Sequence, residues 1–192
     1  MEATIPKASD DQYYKLTHQE WWFFPLTETL TLMLRAQAGL INRYGSSKEV
    51  PFFYNFHTGG MGSVRGFDSS SLGPKINNWY GDVDYLGGTR LVNATAELFF
   101  PMPGLKDSQS VRLSVFGDAG SLWDGKTRGP IDNFEYSVNY KSTFHNEFRY
   151  SVGIGAVWLS PLGTLRFSWA KVLNKKPGDR EQAFQFNIGN TF

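Results

Sequence analysis

The chain has 192 residues, 41% hydrophobic and 16% aromatic, which is too apolar for a disordered polymer and long enough for one domain. Its 19 basic and 18 acidic residues leave a net charge of +1, so no nucleic-acid partner is expected, and the absence of cysteine excludes disulfides and thiolate metal sites. No stretch approaches the roughly 18 consecutive apolar residues of a membrane helix, but a mean hydropathy of −0.36 leaves membrane strands open, because they show lipid only every second residue.

Met1 to Asp11 lacks the basic-then-apolar pattern of an export signal, and the chain reads as a piece cut from a longer one. A stub at Ala3 to Pro6 reads as the end of a strand, and a poorly patterned strand follows near 12–24. Near 29–43 the alternation is clean: Leu30, Leu32, Leu34, Ala36, Ala38 and Leu40 oppose Thr31, Met33, Arg35, Gln37 and Gly39. A strand near 88–100 sets Val92, Ala94, Ala96, Leu98 and Phe100 against Asn93, Thr95, Glu97 and Phe99. The next, near 110–123, sets Val111, Leu113 and Val115 against Arg112, Ser114 and Asp118. Strands near 146–159 and 164–173 repeat the split, with Tyr150, Val152, Ile154, Ala156, Trp158, Leu165, Phe167 and Trp169 on the apolar side. The last, near 181–191, sets Phe184, Phe186 and Ile188 against Gln185, Asn187 and Gly189.

The connections alternate short and long, as in outer-membrane barrels with periplasmic turns and extracellular loops. Pro25 to Glu28, Pro101 to Ser108 and Ser160 to Gly163 are short, whereas 44–87, Asp124 to Thr143 and Asn174 to Arg180 are longer and polar. The polar faces are rich in Gly, Ser and Arg, as a crowded wet lumen requires, and Arg35, Arg112, Arg149 and Arg166 share that parity. Mid-strand positions of the apolar face are expected to carry no charge, since Arg or Lys facing lipid there costs about 2–4 kcal/mol. Leu32, Leu34, Ala94, Leu98, Ile154 and Phe186 are therefore expected to face lipid, and Trp22, Phe24, Phe100 and Trp158 to form interfacial girdles.

The segment Gly59 to Phe67 within the loop 44–87 is the most specific feature. Its glycines allow positive φ and a compact tip, and it matches neither a phosphate-binding GxxxxGK[ST] nor a GxGxxG between strand and helix. Val64-Arg65-Gly66-Phe67 resembles the VRGF signature of the Omp85 family, set in a long extracellular loop. Ser71 to Lys75, Trp158 to Gly163 and the ending Glu181 to Phe192 extend the resemblance over nearly the whole chain, toward the assembly-factor branch. The fold it implies is an antiparallel transmembrane β-barrel in the bacterial outer membrane, of which this chain is the C-terminal half, seven to eight strands of sixteen.

The resemblance also implies that the loop folds back into the lumen, with Arg65 held by acids of the wall. Parity leaves two candidates, because Glu97 and Asp118 are the acids at interior positions in the middle of the two strands after the loop, and an arginine fork can bond both. Spacing alone equally allows Arg65 in solvent, with the two acids balancing wall arginines such as Arg112. By resemblance the function is assembly and insertion of other β-barrels, without covalent chemistry or cofactor. The expected partners are unfolded outer-membrane protein substrates, accessory assembly lipoproteins reached through periplasmic domains outside this chain, and outer-membrane lipid.

A lateral seam is expected at the last strand, with Phe184, Phe186, Ile188 and Phe192 as its apolar stripe and Gly189 either a kink or a point of close packing. Within the family a translocation or two-partner secretion pore carries the same tetrad, and a passive structural barrel is a further alternative. A carbohydrate hydrolase is disfavoured, because Glu20, Glu97 and Asp118 form no obvious catalytic pair, and His18, His57 and His145 lack metal-ligand spacing. Two open edges would make the isolated chain dimerise, misfold or require detergent.

Overall fold

The computed structural model describes residues 2–3, 12–45, 52–77, 82–104, 110–124, 148–161 and 163–189. Phe192 of the expected seam and His145 lie outside them. The strands are β1 (Glu2–Ala3), β2 (Tyr13–Pro25), β3 (Thr31–Arg43), β4 (Gly66–Phe67), β5 (Lys75–Asn77), β6 (Val83–Tyr85), β7 (Arg90–Pro101), β8 (Val111–Trp123), β9 (Arg149–Ser160), β10 (Gly163–Val172), β11 (Glu181–Gln182) and β12 (Phe184–Ile188). One 3-10 turn, Phe52–Tyr54, is the helical element among the described residues. An eight-stranded antiparallel sheet runs β1-β2-β3-β7-β8-β9-β10-β12, and it does not close: β1 and β12 are its two ends.

Residues opposed across an antiparallel pair share a face, so the register settles which side chains lie together. One row reads Phe24, Leu32, Leu98, Val115, Ile154, Trp169, Phe184 across seven strands, apolar throughout. Ile154, Trp169 and Phe184 on it are more than half exposed, although a soluble fold would cover such side chains. The parallel inner rows read Trp21, Arg35, Thr95, Asp118, Ser151, Val172 and Phe23, Met33, Glu97, Phe116, Gly153, Ala170. Against this inner face packs the loop between β3 and β7. A cluster of Tyr13, Ile41, Phe56, Leu91 and Leu122 holds the loop's base.

Two expectations are corrected. Mid-strand positions of the outer face are not free of charge: Glu20 pairs with Ala36, and the row continues through Ala94 and Ala119 to Tyr150, so Glu20 faces outward. His18, on the same face, meets the Glu20 carboxylate at 2.7 Å. The run Trp21-Trp22-Phe23-Phe24 has no alternation, so the parity of β2 becomes visible only from its pairing with β3. The expected strand over 181–191 is also divided. Glu181 and Gln182 leave the wall to pair with Phe67 and Gly66 of the loop, and the wall strand proper is Phe184–Ile188.

Candidate functional site

The tip of the loop is closed by its own bonds before it touches the wall. Gly60 N donates to Val64 O (3.2 Å), Ser63 N to Gly60 O (3.1 Å) and Gly59 N to Ser63 Oγ (2.8 Å). Gly59, Gly60 and Gly66 sit at φ of 112°, 90° and 88°, the left-handed range that a side chain resists. This tight turn presents Val64, Arg65, Gly66 and Phe67 to the sheet as one surface, and all four are buried.

Arg65 lies on β7 and β8. Its Nε donates to Asp118 Oδ2 (2.8 Å), its Nη2 to Asp118 Oδ1 (3.0 Å) and its Nη1 to Glu97 Oε2 (2.9 Å). The backbone N–H of Arg65 also donates to Asp118 Oδ2 (3.1 Å). Arg65, Glu97 and Asp118 are 8%, 7% and 3% exposed, so the group is desolvated and its charges must compensate one another. Glu97 Oε1 takes a further bond from Ser114 Oγ (2.6 Å), and the guanidinium carbon sits 3.3 Å from the centroid of the Phe116 ring, a cation–π stack. Burial alone would lower the pKa of Arg65, but its bonds to Asp118 and Glu97 outweigh that and raise it, so the guanidinium stays charged.

The rest of the tetrad touches other strands. Val64 fits over Gly120 of β8, where an added Cβ would stand 2.5 Å from Val64 Cγ2. Gly66 lies against Ala170 and Val172 of β10. The carbonyl of Phe67 accepts from Gln185 Nε2 of β12 (2.7 Å). Four consecutive residues thus brace β7, β8, β10 and β12.

Of the wall arginines, Arg35 donates to Ser63 O (3.4 Å) and Thr95 Oγ1 (3.3 Å), so it supports the loop tip. Arg112 is exposed, while Arg149 is fully buried on Asp179. Phe184, Phe186 and Ile188 form an exposed stripe on the end strand of the sheet. Gly189 follows at φ 105°, and among the described residues no atom lies within 4 Å of where its Cβ would stand.

Sequence reasoning did not single out Phe116, Ser114 or Gly120. Their interior parity with Asp118 is the available signal. It had no means of finding Asp179 or Gln185, whose loop partners lie more than 100 positions away in the chain. Among the described residues no group of three or more His, Asp or Glu side chains is placed to hold a metal ion.

The model of the Omp85 superfamily domain matches residues 1–192. The outer membrane protein assembly factor BamA of Neisseria meningitidis serogroup B is 52% identical over the whole chain, which spans 25% of that protein. BamA of Nitratidesulfovibrio vulgaris is 26% identical over 97% of the chain, which spans 21% of it. The crystal structure of BamA from Haemophilus ducreyi lacking POTRA domains 1–3 superposes with a TM-score of 0.81 at 35% identity, covering 96% of this chain and 36% of that one. The chain therefore spans about a quarter of the length of the curated relatives it matches, and its open sheet corresponds to part of a barrel wall.

Proposed function

The chain belongs to the Omp85 superfamily, and from that premise we propose that it is the C-terminal part of the barrel of a bacterial outer-membrane protein assembly and insertion factor. The observation that carries the proposal is 52% identity along the whole chain to a protein named for that activity. In this reading the loop 44–87 is a lid, Arg65 with Glu97 and Asp118 is the clasp that seats it, and the end strand is the seam. The substrates are unfolded outer-membrane proteins, with accessory lipoproteins acting through domains beyond this segment.

The physical logic is strand templating. An edge strand presents unpaired N–H and C=O groups, and an incoming strand satisfies them by pairing, with no covalent step. Among the described residues β12 has a single strand neighbour, β10, over the register Leu165↔Ile188 to Trp169↔Phe184. Its outer stripe of Phe184, Phe186 and Ile188 suits lipid, so an added strand can form at the membrane without exposing backbone to hydrocarbon. A seated lid keeps the wall in register while that edge works.

The test is a graft. This segment replaces its counterpart in the Neisseria meningitidis protein, in cells depleted of the native copy, and folded outer-membrane barrels are measured by heat-modifiability on gels. Growth and normal barrel levels are expected. A graft that inserts stably in the outer membrane but assembles no barrels would refute the proposal, and secretion of a soluble passenger in its place would identify a translocation pore.

A further inference from the structure

We infer that Asp179 is a positioning residue that couples the motif-bearing loop to the last strand, so that the two detach together or not at all. This rests on the reading of the loop as a lid and adds to it a second anchor, separate from the Arg65 clasp.

Asp179 lies in the connection between β10 and β11, and its side chain is fully enclosed. Lys75 Nζ, from the loop, meets its Oδ1 at 2.5 Å and also donates to Pro177 O (3.2 Å). Arg149, from the wall strand β9, donates through Nε to Oδ2 (2.5 Å) and through Nη2 to Oδ1 (3.2 Å). The N–H of Lys176 completes the set on Oδ2 (2.9 Å). One carboxylate therefore joins the loop, the wall and the connection that leads into the last strand. Removing it would take from the half-buried Lys75 and the buried Arg149 the carboxylate that they share.

The same connection is stitched to the loop on both sides of Asp179. Tyr85 Oη donates to Gly178 O (2.7 Å) and Asp68 N to Arg180 O (2.9 Å). Glu181 and Gln182 pair with Phe67 and Gly66, and Gln185, the second residue of β12, donates to Phe67 O. By contrast, β12 makes five register pairs with β10, where β9 and β10 make ten. The start of the last strand is thus held by the loop as well as by its neighbour in the sheet. Linkage makes the effect reciprocal: release of the loop weakens the seating of the last strand by the same factor as release of the strand weakens that of the loop.

Hydrogen exchange followed by mass spectrometry on the full-length protein in lipid nanodiscs tests this with Asp179→Asn, Lys75→Gln and Lys75→Arg. Exchange in 63–72 and in 184–188 should accelerate together, about tenfold for Asp179→Asn and about threefold for Lys75→Gln. Lys75→Arg should restore both, and β3 should stay protected as the internal reference. If Asp179→Asn also deprotects β3, the milder Lys75→Gln decides. Acceleration of 63–72 with 184–188 unchanged would overturn the coupling while leaving the lid intact. Fast exchange of 63–72 already in the unaltered protein would overturn the lid reading, and the coupling with it.

Discussion

Replacing Arg65 with alanine deletes three hydrogen bonds to carboxylates and the stack on Phe116, and leaves Glu97 and Asp118 buried without their counter-charge. Breaking a buried pair by removing one partner costs about 3–5 kcal/mol. The low end applies here, because Arg35 lies on the same inner row as Asp118, one strand beyond Thr95, and can share the released charge. A loss of about 3 kcal/mol shifts the seated-to-released equilibrium of the loop by about 150-fold. Lysine keeps the charge but offers neither the planar fork nor the guanidinium stack, so Arg65→Lys should remain about tenfold below the parent. The assay is hydrogen exchange of 59–72 in the full-length protein, with β3 as the internal reference. Less than a threefold change in Arg65→Ala, or full restoration by lysine, would refute the argument that a desolvated fork seats the loop.

Asp118→Asn should loosen the loop more than Glu97→Gln, because Asp118 accepts three bonds from Arg65, including one from its backbone, whereas Glu97 accepts one; thermal unfolding and loop exchange of the two variants should rank in that order. Gly120→Ala should cost about 1–3 kcal/mol by overpacking, since the new methyl would lie 2.4 Å from Asn93 Oδ1 and 2.5 Å from Val64 Cγ2, and denaturant unfolding would read it. Burial alone would raise the pKa of Asp179, but bonds from Arg149, Lys75 and the N–H of Lys176 outweigh it and hold the carboxyl below its ordinary value of 3.8. A depressed carboxylate contributes stability that is complete above the unfolded pKa and lost as pH falls through the folded one. Exchange protection of 63–72 should therefore be flat from neutral pH to about 5 and fall below about 4, after correction for intrinsic exchange rates, and Asp179→Asn should abolish the part of that fall due to this group.

The wall was legible in the sequence because a strand with lipid on one side and a crowded lumen on the other writes its environment in every second residue. Leu32, Leu98, Ile154 and Phe186 needed no tertiary information, and parity alone marked Glu97 and Asp118 as interior acids. Tertiary structure decided what periodicity does not encode. Glu20 was assigned to the outer face by the register of β2 on β3, since four aromatics in succession erase the alternation around it. The division of the final strand depends on Gly66 and Phe67 arriving as a second partner for Glu181 and Gln182, more than 100 residues later in the chain. The share of Arg65 taken by each acid, the ring of Phe116 beneath it and the place of Asp179 between Lys75 and Arg149 follow from how the loop lies in three dimensions. Local pattern reports which face a residue occupies. Contacts between distant segments arise only when the folded wall offers the loop a surface on which its charges and small residues fit.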